Sequence, residues 1–260
     1  MLRRLVTWRW LGALLAAALY AVLSYHLGTW QWGRYEGKAY RNHLLDLHYA
    51  ADPRPIGGIL HGTGFDLADE WTHVSATGHY LGPQLFVRNR PNNGVYGYEV
   101  VAPFAVDGDG TVLVDRGWVD NGRTARDLPD IPPAPTGTVT VTGWLKAGEP
   151  SLHRDMPAGQ LASIDLAEAG REVGAGLLDA YVILDSERTA AGVTPPRPEP
   201  LAPPSRDLGP NQAYAFQWWG SMPVGFVLIF FGIRRELREE RPEAAVRVRK
   251  PSIWEEEDVD

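Results

Sequence analysis

Charged residues are absent from two stretches of this chain, residues 10–33 and 208–233, and what lies between is ordinary soluble sequence with short runs of polar–apolar alternation. A hydrocarbon core about 30 Å thick needs about 20 apolar residues at about 1.5 Å each in a helix. Both stretches are long enough. They predict a first transmembrane helix over 10–30 and a second over 211–233. In the second, Val224, Phe226, Val227, Leu228, Ile229, Phe230, Phe231 and Ile233 form the centre, and Pro223 predicts a bend or local break. Trp218 and Trp219 suit an interfacial aromatic belt. Arg3, Arg4 and Arg9 before the first stretch also fit the basic start of a cleaved signal peptide. Ala16, Ala17 and Ala18 are followed by Leu19 and Tyr20, however, and the apolar run continues, so an uncleaved anchor is expected.

Between the spans the period changes. Residues 28–49 keep helix-forming character and extend or follow the first span. Residues 84–89 form a short alternating run, and Pro91-Asn92-Asn93-Gly94 is a turn signal. Residues 98–104 are a second run. Asp107-Gly108-Asp109-Gly110 marks a hairpin before a strand over 111–115. Residues 138–144 alternate Val and Thr, and 181–184 give another strand. Residues 164–173 predict a helix capped by Ser163 or Asp165. Six prolines within 195–204 read as a stiff connector. The predicted architecture is two terminal transmembrane helices flanking a mostly-β (α+β) extracytoplasmic domain over 31–210, a small antiparallel sheet or barrel. Residues 1–9 and 234–260 lie on the cytoplasmic side, the latter charged and expected to be disordered.

Charge supports that topology. Residues 34–207 carry 15 Lys and Arg against 23 Asp and Glu, a net of −8, which argues against nucleic-acid binding. Arg234, Arg235, Arg238 and Arg241 crowd the end of the second span, and positive charge stays cytoplasmic. The absence of cysteine excludes disulfides, thiolate zinc sites, iron–sulfur clusters and cysteine nucleophiles. Arg outnumbers Lys 22 to 3, which with no Arg/Ser-rich transit segment points to a bacterial cell membrane.

Little in the chain suggests catalysis. Nucleophile elbows, Walker loops and H-E-x-x-H are missing. His61-Gly62-Thr63-Gly64 neither follows a strand nor opens a helix, and Asp107-Gly108-Asp109-Gly110 lacks the later ligands of a calcium loop. His43 and His48 are five apart and do not share a helix face. His26, at a membrane edge, is a functional candidate or a simple interfacial group. Arg88, Arg90 and Arg116 are placed to cluster at one end of neighbouring strands, with Asp115-Arg116-Gly117-Trp118 ending its strand. There they would receive a carboxylate or propionate, or join a structural Arg–Asp network.

Several motifs then fall into an order. Leu27-Gly28-Thr29-Trp30-Gln31 with Arg34 and Lys38 follows the first span. Glu70-Trp71-Thr72-His73-Val74 leads through Gly78-His79-Tyr80 to Val87-Arg88-Asn89-Arg90-Pro91. Val101-Ala102-Pro103-Phe104 and Asp115-Arg116-Gly117-Trp118 come next. Asn211-Gln212-Ala213-Tyr214-Ala215-Phe216-Gln217-Trp218 opens the second span. This set resembles the surfeit-locus family of cytochrome c oxidase assembly factors over nearly the whole chain.

The resemblance implies a non-enzymatic assembly factor or chaperone, assisting haem a insertion or early assembly of oxidase subunit I. Its implied partners are subunit I, haem a biosynthesis enzymes and the lipid bilayer. One alternative is a haem a carrier, with His26 as ligand and Trp30, Tyr214 and Trp218 lining a slot between the spans. An unrelated membrane-tethered extracytoplasmic enzyme or sensor is a further alternative. Many family members place a His where this chain has Asn211, and an amide is a poor iron ligand beside imidazole, so haem at that position is in doubt.

Overall fold

A computed structural model describes residues 7–60, 64–122 and 127–239. Helix α1 (Trp8–His48) runs unbroken through the first apolar stretch and the helix-forming segment after it. Strands β1 (Arg54–Pro55), β2 (His73–Tyr80), β3 (Leu85–Asn92), β4 (Val95–Val106), β5 (Gly110–Asp120), β6 (Val139–Ala147) and β7 (Gln160–Leu161) follow. Helix α2 (Leu166–Val173), strand β8 (Ala180–Thr189) and helices α3 (Asn211–Ser221) and α4 (Val224–Glu239) complete the order. Two compact units result, Met1–Lys38 with Asp207–Asp260, and Ala39–Arg206.

In the first unit α1 packs against α3 and α4. Met222 and Pro223 separate the last two, as a proline without an amide donor requires. Small residues let the backbones approach. A Cβ added to Gly28 would lie 2.3 Å from the Trp219 indole, and one on Gly225 would lie 2.8 Å from the Ala17 Cβ. Ser24 and Ser221 face each other at 3.4 Å between hydroxyls. Such small-residue contacts with an occasional hydroxyl pair are how helices associate in lipid, where apolar burial gives no drive. Only 17% and 11% of the two apolar windows is buried, too little for core helices of a soluble fold. Leu15, Leu19, Val22, Leu23, Leu228 and Phe231 are all exposed.

The second unit is built on one eight-stranded sheet with strand order β1-β2-β6-β8-β5-β4-β3-β7. It is mixed, where a small antiparallel sheet or barrel was expected: β5 pairs with β8 in parallel, as do β1 with β2 and β3 with β7. Strand β2 pairs with β6 along His73–Gly78 and also with β4 through Gly78, His79 and Tyr80. The pairing circuit β2–β6–β8–β5–β4 therefore returns to β2. Gly78 stands at the junction, where an added Cβ would come within 1.9 Å of the Ala105 carbonyl oxygen.

Alternation sorts the side chains. Val112, Val114, Val182 and Leu184 join Val74, Phe104, Val141 and Leu145 in one core. Leu113 and Tyr181 join Leu85, Val87, Val101 and Ile164 in the other, with Ala169 of α2. Two residues per repeat along a strand produce this division. Asp165 caps α2 by accepting from the Ala167 and Glu168 amides, and Gly174 closes it in the left-handed region. The β3–β4 hairpin turns on Asn93 and Gly94, both with positive φ, as a two-residue turn demands.

Candidate functional site

Strand β3 bulges at Asn89, the residue skipped between the Arg88–Tyr98 and Arg90–Gly97 pairs. Beyond the bulge Arg90 lies among acids from three other segments. Its Nη2 donates to Glu149 Oε2 at 2.5 Å. Its Nε lies 2.9 Å from Glu99 Oε2 of β4, a close ion-pair contact outside hydrogen-bond alignment. Asp115 of β5 is 1% exposed. One of its oxygens accepts from the Gly117 amide at 3.1 Å, and the other has no partner. Two carboxylates thus contact one guanidinium, with the Asp115 carboxylate buried nearby. Burial is the main reason that the Glu99 carboxyl is pushed up to about 7, the charge of Glu149 adding to it against the pull of Arg90. Burial, then the charge of Glu99, also raises Asp115 well above its ordinary range. Tyr181 of β8 is raised by burial and by the charge of Asp115.

Arg116 belongs to a second network. It is fully buried, as is its partner Glu187 of β8. Arg116 Nη2 donates to Glu187 Oε1 at 2.8 Å, and Nη1 donates to Gln84 Oε1 at 2.6 Å. The Tyr80 hydroxyl donates to the other Glu187 oxygen at 2.7 Å, and burial raises that phenol. Arg88 donates to Gln160 and lies 5.5 Å from the Tyr98 ring centre. Arg88, Arg90 and Arg116 thus engage separate acceptors: Gln160 of β7, Glu149 after β6, and Glu187 of β8 with Gln84 before β3. Asp115-Arg116-Gly117-Trp118 also lies within β5, which runs on to Asp120, rather than at its end.

A cleft of about 210 Å3 opens beside Glu99. Tyr49 and Trp144 line it as a parallel stack with centroids 4.4 Å apart, and the Trp144 indole donates to the Tyr49 carbonyl at 2.9 Å. Trp71 forms another wall with φ of 64°, a conformation rare for a bulky residue and often found at functional sites. Its amide donates to the Leu145 carbonyl, and the Leu145 amide donates to the Thr72 carbonyl. The proline-rich connector supplies Leu201, Ala202 and Pro204. Asn92 holds it by accepting from the Ala202 amide at 2.9 Å, and Trp118 exchanges two backbone hydrogen bonds with Glu199. Sequence reasoning missed this cleft. Among its walls the turn signal at Pro91 and Asn92, the proline run and the Glu70–Val74 motif around Trp71 were visible, but none of them pointed to a cleft.

The helix pair distributes the residues named for haem contact. His26, Trp30 and Tyr214 are exposed and Trp218 is half-buried. His26 is two residues from both Ser24 and Gly28 on the packed face, and two residues turn a side chain by about 200°. Its ring contacts Tyr25, while Arg34 stacks 5.4 Å from the Trp30 ring centre. At Gly28 the helices are in close contact, an added Cβ lying 2.3 Å from the Trp219 indole. Asn211 is engaged: Lys38 donates to its carbonyl oxygen at 3.0 Å, and its amide donates to Gln31 at 2.7 Å. Gln217 is exposed. Among the described residues no three acids or histidines converge to hold a metal. The glycine-rich residues 61–63 lie outside the described residues, as do Arg3 and Arg4 and the tail from 240.

Comparison with known proteins places these features in a wider group. The SURF1 family model matches residues 18–222. An uncharacterized SURF1-like protein of Mycobacterium tuberculosis is 31% identical over 244 residues, covering 89% of this chain and 87% of that protein. The cytochrome oxidase assembly protein SHY1 of Saccharomyces cerevisiae is 32% identical over 114 residues, 42% of this chain and 28% of that one. A SURF1-like protein of Rickettsia bellii is 26% identical over 185 residues, 68% of this chain and 74% of its own.

Proposed function

The chain belongs to the SURF1 family, and on that premise we propose that it is a membrane-anchored assembly factor for cytochrome c oxidase, acting by contact during haem a insertion or early assembly of subunit I. The observation that carries the reading is the extent of the match, which runs from within α1 through the whole sheet to the end of α3. The yeast relative's name supplies the process. Arg9 before the first apolar stretch and Arg234, Arg235 and Arg238 after the second favour two cytoplasmic ends. The acidic sheet unit then faces the other side of a bacterial cell membrane, where it meets oxidase components. Engagement of Asn211 by Gln31 and Lys38 supports action without a haem on that residue.

Deleting the gene and recording reduced-minus-oxidised spectra of the membranes tests the proposal. The haem a band and oxidase activity fall, and the chain supplied in trans restores both. An unchanged band with normal activity overturns the reading. His26→Ala also restores both; failure of that variant would return the imidazole to the site.

A further inference from the structure

Three observations meet at the cleft beside Glu99. Its volume of about 210 Å3 lies below the roughly 300 Å3 at which small-molecule sites begin, so it suits one side chain rather than a cofactor. Its walls are aromatic, with the Tyr49–Trp144 stack on one side and Trp71 on another. Its charged group is the Glu99 carboxyl, which shares Arg90 with Glu149, while a buried Asp115 oxygen close behind stands without a partner.

We propose that this cleft binds a guanidinium, carried on an arginine of a partner polypeptide. A planar, weakly hydrated guanidinium stacks on aromatic faces and bonds a carboxylate at its edge. Its charge supplies what the cluster lacks. This fold already places cations over aromatic rings: Lys146 Nζ lies 4.7 Å from the Trp71 ring centre, and the Arg116 guanidinium lies 5.4 Å from that of Tyr80. The net of −8 over residues 34–207 draws a basic segment toward the unit. Trp71 is held in its left-handed conformation by backbone bonds on both sides, so the wall is set before a ligand arrives. The inference holds whichever protein the chain helps to assemble.

A cation beside Glu99 favours its ionised form, so binding releases a proton. The charged and titratable groups around Glu99 are Arg90 from β3, Asp115 from β5, Glu149 from the segment after β6 and Tyr181 from β8. With the carboxyl titrating at about 7 in the empty cleft, affinity rises about tenfold between about pH 6 and 8.

Isothermal titration of the full chain in detergent, with N-acetyl-arginine methylamide as probe, tests this. The probe binds, the neutral citrulline counterpart does not, and affinity climbs with pH. Glu99→Gln weakens binding and removes the pH dependence while the near-ultraviolet circular dichroism stays unchanged. If that variant fails to fold, the arginine–citrulline comparison on the unaltered chain decides alone. Equal binding of both probes, no binding at either pH, or a wild-type pH profile in folded Glu99→Gln overturns the proposal.

Discussion

Asp115 and Arg116 are neighbours in strand β5, yet they do not pair: each is buried in a different charge network. Asp115 lies with Glu99, Glu149 and Arg90, and Arg116 lies with Glu187 and Tyr80. Gly117 permits this arrangement. Its amide binds the Asp115 carboxylate, its φ is 133°, and an added Cβ would come within 2.4 Å of the Glu199 carbonyl oxygen. Strand β5 bulges here, so that Val100 pairs with Gly117 and Val101 with Asp115. The first network is rich in acid and faces a cleft. The second is balanced and closed.

That balance makes Arg116 a stability determinant. Arg116→Met leaves Glu187 buried beside Tyr80 with no cation, and removal of one partner of a buried pair costs about 3–5 kcal/mol. Urea denaturation of the variant checks this. Replacing both partners, Arg116→Met with Glu187→Leu, recovers most of the loss, because the stranded charge is gone. A single variant as stable as the parent contradicts the pairing.

The acid-rich network sets a pH dependence of opposite sense to an ordinary salt bridge. Glu99 in the folded chain holds its proton up to about 7, against an ordinary value of 4.5. Across that window the folded state binds more protons than the unfolded one, so this residue's contribution to stability falls as pH rises. Denaturation midpoints for wild type and Glu99→Gln are therefore expected to converge at low pH and diverge by pH 8, the variant standing higher. Divergence at low pH instead refutes the assignment.

At the seam between β2 and β4 the limiting contact is steric. Gly78→Ala drives a methyl into the Ala105 carbonyl, and the strands must part. A loss of about 2 kcal/mol or more is expected, within the range of backbone clashes. Hydrogen exchange locates it: amides of β4 paired across the seam exchange faster, while those of the β6–β8 ladder keep their protection.

For the helix pair, the chain's lack of cysteine gives a clean background. Ser24→Cys with Ser221→Cys places two thiols where the hydroxyls now stand 3.4 Å apart, and mild oxidation joins them. Adding Gly28→Leu sets a side chain against the Trp219 indole and lowers the yield several-fold. An unchanged yield denies the close approach of α1 and α3.

How much of this was legible depended on how local each signal was. Absence of charge over a span-length stretch marks α1, α3 and α4 directly. Asn93-Gly94 and Asp165 act through their own backbone neighbourhood, so the hairpin and the α2 cap read correctly. Strand β2 escaped because His73, Ser75, Thr77 and His79 fill one side of it and Gly78 breaks the apolar side after Val74 and Ala76. Strand β5 was read as ending at Asp115 because a buried Arg looks like a surface residue until Glu187, 71 positions away, is brought to it. The cleft depends on residues from Tyr49 to Pro204. Only the topology brings them together, and nothing near Trp71 announces its positive φ.

The seam at Gly78 has a consequence for the nascent chain. Strand β2 finds β4 soon after synthesis, but its other edge waits for β6, and β5 waits for β8, whose Tyr181 pairs with Leu113, 68 residues before it. Ladders that join such distant segments form slowly, and their unpaired edges invite association with other chains. A ribosome stalled before Ala180 would therefore hold a sheet with two raw margins, and delivery of β8 is the event that seals it.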